Sequence, residues 1–281
     1  MTSPLNPPAT FWDDVLAFAT SITQEVAAYL LPRAGILTAE CKTDGSLVTA
    51  ADQWSDQRIR EAIAARFPDH GILSEETLHT FPAQDWCWII DPIDGTTNFT
   101  RGIPLWGISI GLLYRGWPVF GLVHFPPVAQ TFHGYWAGNT GLDSPTGAYL
   151  NGKPIHTSPA DPNPNQLFNL CARSTAVMTQ PFPCKIRMLG VASYNHVLVA
   201  AGVALGGLEA TPKIWDIAAV WVLVQAAGGA FVSLDPDPVF PLQVGQDYGS
   251  RPLPSLAVSR AALVEVFRPL VQGVSDRVLA K

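Results

Sequence analysis

One stretch constrains this chain more than any other: Trp88-Ile-Ile-Asp-Pro-Ile-Asp-Gly-Thr-Thr-Asn-Phe99. Its opening is short, apolar and β-prone, which predicts a strand ending on Asp91. Pro92 has a fixed φ and reads as a turn, and Asp94-Gly95-Thr96-Thr97 opens the next element. A strand that stops on a carboxylate, with a second carboxylate just past a proline, can point both into one concavity. The Ile93 carbonyl between them would be a third oxygen. Oxygen-only donors select a hard cation such as Mg²⁺, at about 2.0–2.1 Å, over zinc. Backbone N–H groups at Gly95 and Thr96, if they lead a helix, would face an anion such as phosphate. A plain Asp-Pro, Asp-Gly turn explains the two dipeptides alone but not the whole run.

Around this stretch the apolar period changes. From Phe11 to Leu31 apolar residues recur at helical spacing until Pro32, and a second helix is expected from about Asp52 to Arg66, closed by Pro68. Trp106, Ile108, Ile110 and Leu112 then alternate with Gly107, Ser109 and Gly111. Arg115-Gly116 turns into a partner strand through Val119, Gly121 and Val123, so two or three sequential antiparallel strands are expected. Helices are predicted over Tyr194–Ala204 and Ile217–Ala227, the second ending on Gly228-Gly229 as a left-handed cap. Ala230–Leu234 reads as a strand and Ala261–Val271 as the last helix. Strand runs flanked by helices in both halves predict α+β or layered α/β. The Asp161-Pro-Asn-Pro-Asn165 break divides the chain into domains 1-160 and 161-281.

The length of 281 residues suits two domains or one large one, and 48% apolar against 14% charged excludes disorder as the dominant state. A net charge of −6 with no basic window argues against a nucleic-acid partner. The most apolar run, Ile217–Val224, is too short to span a bilayer, so no membrane partner is expected. No basic n-region precedes Arg33, and Cys41, Cys87, Cys171 and Cys184 lack C-x-x-C spacing; together these predict reduced thiols in a cytoplasmic location.

Two further acids stand out. Glu75-Glu76 follows a short apolar run, and alone is more often a solvated loop than a ligand. Asp216, in Lys213-Ile-Trp-Asp-Ile-Ala-Ala219, sits where a helix N-cap belongs. Taken together, Asp91-Pro-Ile-Asp-Gly-Thr-Thr-Asn-Phe99, Trp215-Asp-Ile-Ala-Ala219 and Ala227-Gly-Gly229 closely resemble the inositol monophosphatase family, Mg²⁺-dependent and typically lithium-sensitive phosphomonoesterases. Lys42-Thr-Asp-Gly-Ser-Leu-Val-Thr-Ala-Ala-Asp52 and Gly147–Ile155 support the resemblance, which runs from about Thr10 to Leu270.

That resemblance implies a layered αβαβα sandwich of the inositol monophosphatase and fructose-1,6-bisphosphatase type, often a homodimer. It implies that Glu75, Asp91, the Ile93 carbonyl, Asp94 and Asp216 hold two or three Mg²⁺ ions. Most of these ligands would come from the first domain and Asp216 from the second. Asp52 and Thr96 would pair and, with Glu75, orient and deprotonate the attacking water. Gly95 and Thr96 would bind phosphate, while Asp94, Ala192 and Glu209 would face the substrate. The chemistry is consistent, because paired metals about 3.5–4 Å apart neutralise the ester dianion and stabilise its leaving oxygen. The implied activity is hydrolysis of a small phosphate monoester, first of all a myo-inositol monophosphate. Histidinol phosphate, 3′-phosphoadenosine 5′-phosphate and fructose 1,6-bisphosphate are the alternatives, and a regulatory binding protein that kept the fold is the alternative from another class.

Ser74, Val191, Leu205 and Cys171-Ala-Arg-Ser174 depart from the family text, all near the region that would read the leaving group. Gly107-Ile-Ser-Ile-Gly111 matches a nucleophile elbow, but its alternation continues through Leu112 where that motif needs a helix. The Asn98-Phe-Thr100 sequon lies inside the metal-site text. The six histidines show no close pairing, which argues against zinc. Trp86, Trp88, Trp215 and Trp221 read as core.

Overall fold

The computed structural model describes residues 7, 8, 10–42, 45 and 47–271. Thr43, Asp44 and Ser46 of the Lys42–Asp52 text lie outside the described residues. The first part of the chain forms α1 (Phe11–Leu30), β1 (Glu40–Cys41), β2 (Leu47–Val48), α2 (Ala50–Arg66), β3 (Gly71–Ser74), β4 (Trp86–Asp94) and α3 (Thr96–Thr100). It continues with β5 (Gly107–Tyr114), β6 (Trp117–Phe125), β7 (Gln130–Tyr135), β8 (Gly147–Leu150) and β9 (Lys153–Ile155). Then come β10 (Leu167–Leu170), β11 (Lys185–Arg187), α4 (Ala192–Ala200), β12 (Gly206–Glu209), α5 (Ile214–Ala226), β13 (Ala230–Ser233), β14 (Ser255–Val258) and α6 (Val264–Phe267).

A seven-stranded sheet runs in the order β3 to β9, parallel only at β3–β4, and a five-stranded sheet runs β11-β10-β12-β14-β13. The antiparallel run is therefore longer than the two or three strands expected, because β7 to β9 are short and carry little alternation. Ile108, Ile110 and Leu112 face α1 and α2 in one core, with Trp88 and Ile90 of β4 beside them. Cys87, Ile89 and Val123 face the other way, onto α4 and α5. A third core lies between the five-stranded sheet and the 3₁₀ and α6 turns after it. The order is helix pair, sheet, helix pair, sheet, helix: a layered αβαβα sandwich.

The small residues of β5 and β6 have a packing reason. They lie under α5, and a Cβ on Gly121 would stand 2.2 Å from the Ala219 carbonyl oxygen. Ala218 and Ala219 are small for the same contact. The helix thus lies unusually close to the sheet, and its N-terminal residues reach the end of β4. Ser109 is buried in the middle of β5, so Gly107–Gly111 is strand throughout and no nucleophile elbow.

Several boundaries differ from expectation. β4 does not end on Asp91. It runs to Asp94 through a register shift between Asp91, opposite Ser109, and Asp94, opposite Gly107. Pro92 is accommodated there because a bulge removes the demand for its missing N–H. α2 begins at Ala50, not near Asp52, because Thr49 caps it and Asp52 closes a capping box onto the Thr49 N–H. Gly228, at φ +95°, ends α5 in the left-handed conformation as expected. The last helix is broken into 3₁₀ and α turns, with Pro269 in its final segment. Phe11–Arg33 is, by length and composition alone, long and apolar enough to cross a membrane, a property that the short Ile217–Val224 run does not have. Here its stripe of Val15, Ala19, Ile22, Val26 and Leu30 is buried against the large sheet.

Candidate active site

The acids converge where β3 and β4 end and α5 begins. Parallel pairing sets Ser74 beside Ile90, and the Glu75 N–H donates to the Ile90 carbonyl at 3.1 Å, so Glu75 emerges next to Asp91. The bulge at Pro92 lets Asp94 turn into the same space as Asp91. Asp216 is supplied by the first turn of α5. It is not the N-cap: Lys213 is, and Asp216 accepts the Lys213 N–H at 2.6 Å from the third helical position. Its outer oxygen is left for the cluster.

Asp91, Asp94 and Asp216 each offer a carboxylate oxygen, and the three lie within 4.8 Å of one another. Among the described residues none of them forms an ion pair. Burial pushes Asp91 well above the usual carboxylate range, and the charges of Glu75, Asp94 and Asp216 push it further. Burial also raises Asp94, against the N–H groups of Ser193 and Ala192, and drives Asp216 up to about 8 with Asp94 adding to it. Carboxylates this close are compatible only when protons or a cation neutralise them. An all-oxygen donor set of this kind fits a hard divalent cation. Among the described residues no histidine belongs to the cluster.

Glu75 stands at the edge of this trio. Its pKa rises to about 8 through burial and nearby Glu76 and Asp216, partly offset by Lys42. Lys42 donates to Glu75 Oε1 at 3.0 Å and to Glu76 Oε1 at 2.7 Å. Burial opposes the Lys42 charge, but the two glutamates outweigh it and hold the ammonium above its ordinary value. In the sequence Lys42 stands out only as the first residue of the longer Lys42–Asp52 text.

Thr96 opens α3, a five-residue helix entered through Gly95 at φ +90°. Its hydroxyl lies 3.0 Å from the Ile93 carbonyl and 3.4 Å from Asp52 Oδ1. One hydroxyl proton cannot serve both acceptors fully, so the shorter contact to Ile93 dominates in this conformation. Asp52 is held more tightly by Thr49, whose N–H and hydroxyl donate to Oδ2 at 2.7 and 2.6 Å. Burial still lifts Asp52 to about 6 against those bonds. The expected Asp52–Thr96 pair is therefore close but loose.

The residues expected to face substrate are placed differently. Asp94 accepts the Ala192 N–H at 3.2 Å and the Ser193 N–H at 2.7 Å, capping α4, whose own N-cap Val191 has no side-chain acceptor. Glu209 is 4% exposed and accepts from Asn195 at 2.6 Å. Burial raises its pKa to about 7.

In front of the acids opens a cleft of about 530 Å³. Glu75, Asp216 and Lys42 line it together with His79, Arg173, Thr211, Lys213, Trp215, Asp247, Gly249 and Ser250. Trp215, expected to be core, is largely buried but also lines this cleft. Arg173 and Lys213 lie within text already quoted, yet nothing in their spacing marks them as lining residues, and 247–250 carries no motif at all.

Comparisons with known proteins agree with this geometry. The model of the inositol monophosphatase family matches residues 12–265. A histidinol-phosphatase of Chlorobaculum parvum is 31% identical over 231 residues, covering 73% of this chain and 83% of that protein. A fructose-1,6-bisphosphatase/inositol-1-monophosphatase of Aquifex aeolicus is 32% identical over 203 residues, 68% of this chain and 74% of that one. Among solved structures, an IMPase of Thermotoga maritima superposes with a TM-score of 0.78 at 26% identity, covering 94% of this chain and 99% of that one.

Proposed function

The chain belongs to the inositol monophosphatase family and is a phosphatase of that family, and from this premise we propose that it hydrolyses a small phosphate monoester with the help of Mg²⁺ at the Asp91–Asp94–Asp216 cluster. The observation that carries the reading is that trio of carboxylates within 4.8 Å, two buried and one half-buried, the last of them, Asp216, lining a cleft of substrate size together with Glu75.

In this proposal Asp91, Asp94, Asp216, Glu75 and the Ile93 carbonyl hold two or three Mg²⁺ ions. Bound there, Mg²⁺ supplies charge neutralisation for the phosphoryl oxygens and a lowered pKa for water. Glu75, at the rim, orients that water, and Asp52 keeps Thr96 in position to accept or pass its proton. Thr96 and Gly95 present N–H groups to the phosphate. Asp94 does two jobs, since its bonds to Ala192 and Ser193 fix the carboxylate while leaving lone pairs for a cation. The Ala192 N–H is spent on Asp94 and Glu209 is buried, so both act by shaping the floor of the site. Lithium sensitivity, a homodimeric assembly and a cytoplasmic location belong to the same proposal.

The names of the relatives span histidinol phosphatase and fructose-1,6-bisphosphatase/inositol-1-monophosphatase. The test is phosphate release at pH about 8 with excess Mg²⁺ from inositol 1-phosphate, histidinol phosphate, 3′-phosphoadenosine 5′-phosphate and fructose 1,6-bisphosphate. A tenfold lead in kcat/KM for one ester identifies the substrate branch. Silence on all four while Mg²⁺ still binds contradicts the enzymatic reading and favours a binding protein that kept the fold.

A further inference from the structure

One histidine of the cleft takes no part in the chemistry proposed above. His79 lines the cleft, and its Nε2 lies 2.7 Å from the Glu75 carbonyl oxygen. A carbonyl oxygen only accepts, so Nε2 carries the proton and the imidazole donates. The bond closes the turn that follows β3. The Glu75 N–H is already given to the Ile90 carbonyl at 3.1 Å, and His79 takes up its C=O. Both polar groups of the Glu75 main chain are therefore tied, one to β4 and one to His79.

His79 is itself held by three neighbours. Its ring centre lies 5.6 Å from that of Trp215, at 32° to it, and Trp215 precedes Asp216 in the first turn of α5. The His79 carbonyl accepts the Tyr248 N–H at 2.9 Å, and Thr80 beside it forms an antiparallel bridge with Asp247. Gly249 packs against the imidazole, where a Cβ would stand 2.6 Å from Nδ1 and 2.8 Å from Cγ. The φ of Gly249 is not left-handed, so the ring and not the backbone calls for glycine there.

We propose that His79 is a positioning residue for Glu75: its Nε2–H, seated by Trp215 and Gly249, fixes the main chain from which the Glu75 carboxylate reaches Mg²⁺ and the attacking water. The proposal rests on the phosphatase reading above, which gives Glu75 those two tasks. It also gives the motif-free 247–250 segment a part in the site, as the support against which the imidazole is seated. Groups that hold a metal ligand in place are worth about 10–100-fold in metal affinity or activity when removed. A catalytic group misplaced by about 1 Å loses rate on the order of 10²-fold.

The test separates the ring from its N–H. His79→Phe keeps a flat ring against Trp215 and deletes the donor; His79→Gln deletes the ring and keeps an N–H donor near the place of Nε2. For each variant, kcat and KM are measured at saturating Mg²⁺ on whichever of the four esters wild type hydrolyses fastest, beside Mg²⁺ affinity by calorimetry and the melting temperature. His79→Phe is expected to lower kcat and Mg²⁺ affinity by about tenfold each, with KM moved less than about twofold, and His79→Gln to recover most of both. Gly249→Ala, which pushes the imidazole off its seat, should cost a similar factor in wild type and little beside His79→Gln, whose flexible chain can yield. Where His79→Phe fails to fold, Gly249→Ala carries the test. Wild-type kcat and Mg²⁺ affinity in His79→Phe, with losses in His79→Gln, means that the ring only packs and overturns the proposal. A rise in KM with kcat unchanged overturns it too, since it puts His79 on the substrate. Silence of wild type on every ester in Mg²⁺ overturns the phosphatase reading, and the positioning role falls with it.

Discussion

Asp91 shows how a single side chain can cost stability and confer activity together. It is buried, faces three other acids, and accepts the Ile93 N–H at 3.1 Å. Replacing it with Asn removes a like charge from the metal-free cluster and deletes a proposed cation ligand. Asp91→Asn is therefore expected to raise the metal-free melting temperature, abolish further stabilisation by Mg²⁺, and cut kcat by about 10³-fold or more. Thermal melts with and without Mg²⁺, beside a phosphate-release assay, check all three. Thr96→Ala is a contrasting case, because the Thr96 side chain supplies a hydroxyl and no charge. It should slow turnover by about 10²-fold, the size of a lost proton-transfer partner, with Mg²⁺ affinity nearly unchanged by calorimetry. At this scale the sequence is informative about which residues meet and less so about how. The Asp91–Asp94 pair and Asp216 are legible because proline, glycine and tryptophan mark their turns. That Asp52 is locked by Thr49, or that Asp216 sits at the third position of its helix, depends on hydrogen bonds between residues whose types allow several partners.

Among the elements, α5 carries most of the site's geometry. Its burial is nearly complete along Ile217 to Val224, and Gly121 in β6 lets Ala219 approach the sheet so closely that any side chain would collide. Gly121→Ala is expected to cost about 1–3 kcal/mol by overpacking and, by moving the helix that holds Asp216, to weaken Mg²⁺ binding as well. Denaturant melts and a Mg²⁺ titration on the same variant separate the two effects; lost stability with unchanged Mg²⁺ affinity would uncouple α5 from the site. The alternation of Ile108, Ile110 and Leu112 with Gly107, Ser109 and Gly111 is readable as a strand from the sequence. Its small face acquires meaning only once α5 is placed on it. β13 is readable as the strand expected over Ala230–Leu234, whereas β7 to β12 and β14 are largely illegible, being short strands with little alternation of their own.

For the whole molecule, the two sheets fall on either side of Asp161–Asn165, yet α5 from the later part of the chain shares a core with the large sheet of the earlier part. The site lies along that junction, so its charge bears on global stability. Glu75 and Asp216, at about 8, and Glu209, at about 7, keep protons in the folded state that the unfolded chain releases at their ordinary values of 4.5 and 3.8. Between those ordinary values and about 8 the folded state therefore holds more protons than the unfolded one, and these acids make stability fall as pH rises. Burial lowers His70 to about 4 and His196 to about 3, so their contribution is lost as pH drops below their ordinary 6.5. Above 6.5 only the acids act. Metal-free protein is accordingly expected to lose melting temperature steadily from pH 6.5 to about 8 and to level off beyond. Mg²⁺ should restore it increasingly across that range, by about 2.7 kcal/mol at a hundred times Kd. A melting temperature flat with pH would contradict the repulsive cluster.

Metal-dependent hydrolysis at this cluster is tested most directly by phosphate release from inositol 1-phosphate and fructose 1,6-bisphosphate before and after EDTA. Turnover is predicted to be abolished by EDTA, restored by added Mg²⁺, and lowered by about 10³-fold or more in Asp91→Asn at any Mg²⁺ concentration. Turnover that survives EDTA, or that stays near the wild-type rate in Asp91→Asn, would contradict it.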